Sequence, residues 1–188
     1  MNFFCGHTDM SGTVSPWVER WAPLAPAGKV LDLACGMGRH SHYLASLGHP
    51  VLAVDRDASA LIHAAGDGIV TLHADLEDED AVHTAQLAKI LRPGQFSTIV
   101  VTNYLHRPLM AALLASLAPD GMLIYETFAA GNEAFGKPSN PAFLLQPGEL
   151  RSLAEGAGLR VLDFEEVHVQ TPKQAMLQRI CAVGPAFS

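Results

Sequence analysis

The 188-residue sequence predicts an α/β fold in which helices cover both faces of a mostly parallel sheet. Short apolar runs rich in β-forming residues, such as Val30–Leu33 and Val51–Val54, alternate with segments of helical periodicity. The first of these runs passes directly into a turn that contains Gly36 and Gly38, and a helical segment follows. Uninterrupted apolar runs are typical of parallel strands buried on both faces, so this strand, turn and helix form the unit around which we place the sheet.

The composition indicates a compact globular protein, with 49% hydrophobic and 16% charged residues. We expect one domain over residues 1–188, with residues 1–28 as an N-terminal lid or helix segment. The 19 acidic and 12 basic residues give a net charge of -7, which disfavours nucleic acid and membrane surfaces as partners. We expect neither a secretory signal nor a membrane span. The 3 scattered cysteines favour the reducing cytoplasm over a disulfide framework.

The N-terminal segment contains two features ahead of the first strand. Phe3–Phe4 precede polar and glycine residues, and this stretch is either a frayed terminus or a lid. Ser15 followed by Pro16 is typical of a helix start, with Ser15 as the N-cap. The apolar residues that follow share one helical face: Trp17, Val18 and Trp21. We expect this helix to pack on the sheet, and it either stops there or also covers the ligand site.

The glycine turn predicts a ligand site above the sheet. Glycine permits the unusual dihedrals of a tight turn and lets a ligand approach the backbone, and we expect Gly38 to lie where the two meet. The helix after the turn spans His40–Leu47 and ends at Gly48 and Pro50. Its free N–H groups and positive dipole end point towards the ligand. Taken alone, the glycines also fit an ordinary tight turn.

The same patterns predict the remaining elements. Further strands are expected at Val51–Val54, Ile69–Leu72, Ser97–Thr102, Met122–Thr127, Arg160–Val169 and Gln174–Val183. Further helices are expected at Ser59–Ala65, Leu109–Leu117 and Glu149–Ala157, with a turn at Pro119–Gly121. The acidic run Glu77–Asp80 fits a solvated helix start better than a metal cluster, because it lacks ligand spacing. His40 and His42 cannot share a helical face, so we predict no metal site.

The acidic residue ahead of the glycines separates this turn from a dinucleotide fingerprint. A G-x-G-x-x-G motif would need glycine at Ser41, and the pattern Asp32-x-Ala34-x-Gly36-x-Gly38 instead resembles motif I of the class I S-adenosylmethionine-dependent methyltransferases. This resemblance implies a Rossmann-like seven-stranded sheet, mostly parallel, with helices on both faces and a C-terminal antiparallel hairpin. It also implies S-adenosyl-L-methionine as the cofactor, with the Asp32 carboxylate helping to hold the methionine part.

A second acidic residue supports the same cofactor. Asp55 ends the second strand, seventeen positions after Gly38, and an acid at that distance can accept both ribose hydroxyls. The resemblance further implies that Asp75, after the third strand, accepts the adenine amino group. The full set of expected cofactor-binding residues is Asp32, Ala34, Gly36, Gly38, Asp55, Arg56, Asp75, Leu76 and Asn103.

The residues that follow the fourth strand are expected to face the transferable methyl group. Ligands of open parallel sheets bind where the strand order reverses, here expected between the first and fourth strands. His106 and Tyr104 are the candidate catalytic residues, because an amine or hydroxyl acceptor needs a proton acceptor. Alternatively, His106 only caps the next helix. The residues expected to contact the substrate are Arg107, Glu126, Phe128 and Phe135, and Glu126 is alternatively paired within the protein.

The segment from Tyr125 to Leu150 resembles a branch of small bacterial methyltransferases described as tellurite-resistance-like. Within it, the loop Phe128–Gln146 is a long connection with three phenylalanines, which favours a cover over the acceptor site; alternatively, the phenylalanines only anchor the loop to the core. The sequence therefore predicts a cytoplasmic methyltransferase, monomeric or homodimeric, that acts on a small molecule. The Asn/Asp-Pro-Pro-aromatic signature of amino-methyltransferases and the acidic pattern of metal-dependent catechol-type enzymes are absent. The alternatives are a protein or RNA acceptor, a cofactor-binding module without catalysis, and a nicotinamide-dependent oxidoreductase, which Asp32 and Ser41 disfavour.

Overall fold

The computed structural model of the protein describes residues 12–78 and 87–188. Its strands are β1 (Val30–Leu33), β2 (Val51–Asp55), β3 (Ile69–His73), β4 (Phe96–Thr102), β5 (Leu117–Phe128), β6 (Arg160–Val169) and β7 (Ala175–Val183). Its α-helices include α1 (Pro16–Trp21), α2 (Arg39–Ser46), α3 (Ala58–Ala64), α4 (Met110–Ala115) and α5 (Glu149–Gly156), and residues 87–90 are also helical. Short 3-10 helices lie at Ala22–Leu24, Arg107–Leu109, Asn132–Ala134 and Pro141–Phe143.

The strands form one 7-stranded sheet in the order β3-β2-β1-β4-β5-β7-β6. Strands β1 to β5 pair in parallel, whereas β7 is antiparallel to β5 and to β6. The predicted fold class is therefore confirmed, including the antiparallel C-terminal hairpin. The strand order reverses between β1 and β4, so the carboxyl ends of these two neighbours border the crevice where such sheets bind ligands.

Two apolar clusters cover the two faces of the sheet. Alternate residues of the central strands point to opposite faces, so Val30 and Val100 belong to one cluster and Leu31 and Ile99 to the other. The first cluster includes Trp17 and Val18 of α1, which Ser15 caps as predicted by accepting the Trp17 N–H. Helices α4 and α5 pack on the opposite face. Within the described ranges, none of the helices combines the length and apolar character needed to cross a membrane.

The structure differs from the sequence prediction over residues 109–121, which precede the central part of β5. The predicted helix Leu109–Leu117 is a 3-10 turn followed by α4, which ends at Ala115, and Leu117 already pairs with Phe96. The pairing then shifts register, and the predicted turn Pro119–Gly121 is an irregularity inside β5. A strand that resumes after a bulge has the same local sequence signals as a turn between two elements.

Two predictions fall wholly or partly outside the described residues. Phe3–Phe4 lie outside them, and so does the second half of the acidic run Glu77–Asp80. The first half of that run, Glu77 and Asp78, is not helical. The rest of the predicted helix start lies outside the described residues.

Candidate functional site: the carboxyl ends of β1, β2 and β4

The glycine turn joins β1 to α2 in a left-handed conformation. Gly36 has φ 55° and Gly38 has φ 81°. The Cys35 N–H donates to the Val54 carbonyl and the Gly38 N–H to the Cys35 carbonyl, each at 3.0 Å. These bonds fix the turn against β2 and leave α2 to begin at Arg39.

Strained backbone borders the crevice on both sides. Ala34 and Asn103 each have φ 56°, and they are the only non-glycine residues with positive φ in the described part of the chain. Ala34 follows β1 and Asn103 follows β4, the two strands at which the sheet order reverses. Such strain costs free energy and is found most often at functional sites. It therefore supports Ala34 and Asn103 as parts of a ligand site.

The two glycines of the turn are needed for different reasons. A Cβ on Gly38 would lie 2.6 Å from both Cα and Cβ of Ala64 in α3. Gly38 therefore lies close to a neighbouring helix, and its approach to the ligand stays a prediction. A Cβ on Gly36 would meet nothing within 4 Å, so it would project into the open space above the turn.

Asp55 ties the end of β2 to this turn. The residue is 4% exposed. Its Oδ2 accepts the Gly36 N–H at 2.7 Å, and its Oδ1 accepts the Asp57 N–H at 2.9 Å. An ionised carboxylate has about four acceptor positions, so each oxygen has capacity for one further donor such as a ribose hydroxyl. The site therefore fits a nucleoside with its two vicinal hydroxyls.

Asp32 lies beneath the turn rather than at its surface. It is 1% exposed, and its Oδ2 accepts the Ser41 hydroxyl at 2.6 Å. Burial raises the pKa of Asp32 to about 7, although the Ser41 hydrogen bond opposes this shift. Ser41 occupies the position where a dinucleotide fingerprint would have its third glycine, so the departure from that motif supplies the partner of the buried acid.

The ends of β2 and β3 form the next part of the crevice. Asp75 is half-buried and its Oδ1 accepts the Glu77 N–H at 3.0 Å, while Leu76 is buried. The Arg56 side chain is exposed, and its carbonyl accepts a hydrogen bond from the His73 ring at 2.9 Å. These contacts place the residues expected to bind the ribose and the adenine on adjacent strand ends.

A buried polar network continues from α2 towards β5. His40 is 1% exposed, and its Nε2 accepts the Ser15 N–H at 3.1 Å. The proton is therefore assigned to Nδ1, which lies 3.3 Å from the Thr102 hydroxyl. The Ser15 hydroxyl in turn donates to Glu126 at 2.8 Å, and Arg179 lies 3.5 Å from the other oxygen of Glu126. Glu126 is thus held by protein partners, and sequence patterns gave no signal for its contact with Ser15.

The two candidate catalytic residues follow β4. His106 is half-buried and is the N-cap residue of the 3-10 helix, as the alternative predicts; its carbonyl accepts the Leu109 N–H at 3.1 Å, whereas its side chain makes no capping hydrogen bond. The Tyr104 carbonyl accepts the Tyr125 hydroxyl at 2.8 Å. The Tyr104 hydroxyl is buried and finds no hydrogen-bond partner among the described residues.

Arg107 holds the long connection after β5. Its guanidinium donates to both oxygens of Glu149 at 2.7 and 2.9 Å. It also donates to the carbonyls of Ala142 at 2.7 Å and Leu144 at 2.9 Å. This pairing keeps the pKa of Glu149 below its usual range. The structure thus places Arg107 as a clamp on the connection.

The phenylalanines of this connection face different surroundings. Phe128 is the half-buried last residue of β5, and its carbonyl accepts the Leu145 N–H at 2.9 Å. Phe135 stacks on His168 of β6, with ring centroids 4.5 Å apart and an interplanar angle of 17°. The buried Asn132 donates to the Pro138 carbonyl at 2.9 Å and accepts the Met176 N–H at 3.1 Å. The connection is therefore an ordered wall fixed to β6 and β7.

No group of three or more His, Cys, Asp or Glu side chains in residues 12–78 and 87–188 is arranged to hold a metal ion. The polar groups described above instead surround the glycine turn and the neighbouring strand ends.

Comparison with known proteins agrees with this geometry. The model of the family described as tellurite resistance protein TehB matches residues 1–114, more than half of the chain. A ubiquinone biosynthesis O-methyltransferase of Burkholderia thailandensis is 27% identical in an alignment of 176 positions that covers 80% of this chain and 72% of the relative.

Solved structures share the fold. TehB from Haemophilus influenzae superposes with a TM-score of 0.70 at 18% identity, over 91% of this chain and 62% of that protein, so this chain spans less than two thirds of its length. A TehB-like methyltransferase from Corynebacterium glutamicum gives a TM-score of 0.61 at 23% identity, over 94% and 89% of the two chains. The 1,6-didemethyltoxoflavin-N1-methyltransferase of Burkholderia thailandensis, with bound S-adenosylhomocysteine, gives 0.64 at 20% identity, over 94% and 80%.

Proposed function

This chain belongs to the TehB family of class I S-adenosylmethionine-dependent methyltransferases, and we propose that it transfers the methyl group to a small-molecule acceptor. S-adenosyl-L-methionine is its cofactor. The observation that carries the assignment of the cofactor site is the Asp55 carboxylate, which is fixed to the Gly36 N–H at 2.7 Å and keeps capacity for two hydroxyl donors.

In this proposal, different residues of the crevice bind different parts of the cofactor. Asp55 accepts the ribose hydroxyls, and Asp75 with Leu76 borders the adenine. The positive end of the α2 dipole and the space above Gly36 receive the part of the cofactor nearest the turn. Asp32 supports the turn from beneath through its hydrogen bond with Ser41, next to the part of the site that receives the methionine end.

When bound, the cofactor supplies a methyl group on a positively charged sulfur, which is already activated for in-line displacement. The protein must then orient the acceptor and exclude water. Asn103 and His106 follow β4 on the acceptor side, and the wall held by Arg107 bounds it beyond β5. His106 is the proton acceptor when the nucleophile is an amine or hydroxyl, and a thiolate needs none.

A small acceptor is supported by the charge of the chain and by the names of its relatives. The net charge of -7 opposes binding to an RNA backbone. The similar Burkholderia thailandensis proteins are named for ubiquinone biosynthesis and for 1,6-didemethyltoxoflavin, both of which concern small molecules. We further propose a cytoplasmic location and a monomer or homodimer, and the free buried thiols of Cys35 and Cys181 fit a reducing compartment.

Calorimetric titration tests the cofactor assignment, and a methyl-transfer assay tests the acceptor. S-adenosylmethionine and S-adenosylhomocysteine should bind, whereas NAD should not. Transfer of labelled methyl should then be measured on thiols, hydroxylated aromatics, amines and metalloid oxyanions, with a bulk protein and an RNA fraction as competitors. Binding of NAD alone would contradict the proposal, and labelling of only protein or RNA would contradict the small-molecule acceptor.

A further inference from the structure

The hydroxyl of Tyr104 is one of three buried polar groups without a hydrogen-bond partner among the described residues, and it differs from the other two in its position in the sheet. The Trp21 Nε1 and Thr98 Oγ1 atoms also lack partners among the described residues. Trp21 belongs to α1, and Thr98 lies near the amino end of β4, paired across the sheet with Val30. Of the three, Tyr104 alone follows the carboxyl end of a strand at the point where the sheet order reverses.

The backbone and ring of Tyr104 are fixed. The preceding residue, Asn103, has φ 56°, and the Tyr104 carbonyl accepts the Tyr125 hydroxyl at 2.8 Å. The ring packs against the apolar cluster that includes Leu33 and Leu76. The hydroxyl therefore has a set direction, and leaving it without a partner costs free energy that a ligand atom could recover.

The surroundings of the hydroxyl lie on the β3 side of the crevice. Burial raises the pKa of Tyr104 above its ordinary value, and the nearby carboxylates of Glu77 and Asp75 raise it further. The side chain thus stays a neutral phenol that can donate a hydrogen bond. Both acids follow β3, on the side where the adenine is expected and away from the acceptor side at β5.

We propose that the Tyr104 hydroxyl binds the adenosine part of the cofactor, which makes Tyr104 a cofactor ligand instead of the catalytic residue that its sequence position predicts. This inference rests on the proposed function. An adenine ring nitrogen is an acceptor of the kind that a fixed phenol can reach, and the hydrogen bond would satisfy the buried hydroxyl. Tyr104 would then contribute to affinity and to recognition of the base, without a part in methyl transfer.

The Tyr104→Phe variant separates these roles. Its dissociation constants for S-adenosylmethionine and S-adenosylhomocysteine should rise about three- to tenfold, as expected for one hydrogen bond. The constant for 5′-methylthioadenosine should rise by the same factor, because that probe keeps the adenosine and lacks the amino acid. Without added ligand the Tm should be unchanged or higher, since the lost hydroxyl has no partner among the described residues. The kcat at saturating cofactor should not change.

The other two tyrosines of the chain are matched controls. Tyr43→Phe changes a half-buried residue of α2 and should leave both binding and Tm unaltered. Tyr125→Phe removes a hydroxyl that donates to a backbone carbonyl, so its Tm should fall.

Three results for Tyr104→Phe would overturn the inference while leaving the proposed function intact. They are unchanged affinity for all three ligands, a fall in Tm like that of Tyr125→Phe, or a fall in kcat with unchanged binding. Failure of the wild-type protein to bind S-adenosylmethionine or S-adenosylhomocysteine would overturn the proposed function and the inference together.

Discussion

Separate substitutions of the two glycines of the turn should have different effects. One should mainly lower the stability of the protein, and the other should mainly weaken ligand binding. Gly38→Ala places a Cβ 2.6 Å from Cα and Cβ of Ala64, a contact that the α3 backbone must move to relieve. Gly36→Ala places its Cβ in open space. Both residues have positive φ, so both variants carry the strain of a left-handed alanine. Only Gly38→Ala adds a clash with protein, and only Gly36→Ala obstructs the space above the turn.

The expected magnitudes follow from these two terms. Left-handed strain costs about 1–2 kcal/mol per residue. Overpacking adds about 1–3 kcal/mol at Gly38, so that variant should lose about 2–5 kcal/mol in all. For a chain of this size each kcal/mol lowers the Tm by about 2–4 °C. Gly36→Ala should therefore lose a few degrees in Tm but at least about tenfold in affinity, because its methyl group displaces the ligand by a carbon radius.

Thermal unfolding without ligand and calorimetry with S-adenosylhomocysteine measure the two effects independently. Gly48→Ala is a suitable control, since Gly48 has φ 91° and also meets nothing within 4 Å, but it lies at the far end of α2. It should lose stability as Gly36→Ala does and keep full affinity. The reasoning would be refuted if Gly36→Ala bound normally, or if Gly38→Ala were as stable as Gly48→Ala.

Three further predictions follow from the site. Asp55→Ala should weaken S-adenosylmethionine binding about ten- to a hundredfold in calorimetry, because about 1.5–3 kcal/mol of charge-assisted hydrogen bonding is lost; unchanged affinity in a folded variant would exclude Asp55 as the ribose ligand. Phe135→Ala, which removes the stack on His168, should raise the acceptor KM or lower kcat with nearly unchanged cofactor binding; a lower Tm with unaltered kinetics would mark a purely structural loop. The pKa of Asp32 is raised from 3.8 to about 7 in the folded protein, so the stability linked to its protonation is present below 3.8 and lost as the pH rises through about 7. Urea unfolding at several pH values should show this decline, and Asp32→Asn should flatten it; equal slopes in the two proteins would contradict a buried neutral Asp32.

Local patterns predicted the parts of the fold that local chemistry decides. The strand Val30–Leu33, the glycine turn and the Ser15 cap were predicted because each depends on residues a few positions apart. The same local signals misplaced the start of β5, where pairing of Leu117 with Phe96 overrides the helix and turn propensities of residues 109–121. Strand pairing of this kind depends on a partner about twenty residues away and leaves no periodic trace in the segment itself.

The contacts that shape the site were mostly beyond sequence reasoning. The Ser15 hydroxyl meets Glu126 across 111 positions, and Arg107 meets Glu149 across 42. Arg107 could be predicted as a polar residue near the acceptor side, but its use as a clamp depends on where the connection after β5 folds back. Ser41 stood out in the sequence because it replaces the third glycine of the motif, but its hydrogen bond with Asp32 was not predicted.

The first turn of α2 explains how these separate contacts serve one site. His40 bonds to Ser15 and lies against Thr102 of β4, Ser41 bonds to Asp32 of β1, and the His42 ring contacts the His63 carbonyl of α3 at 2.9 Å. Three successive side chains thus fix the helix start to three different elements, while Asp55 fixes the preceding turn to β2. The N–H groups that face the crevice are therefore held in place by the fold itself. A ligand bound there does not have to order this backbone, and the free energy of its contacts is available for affinity.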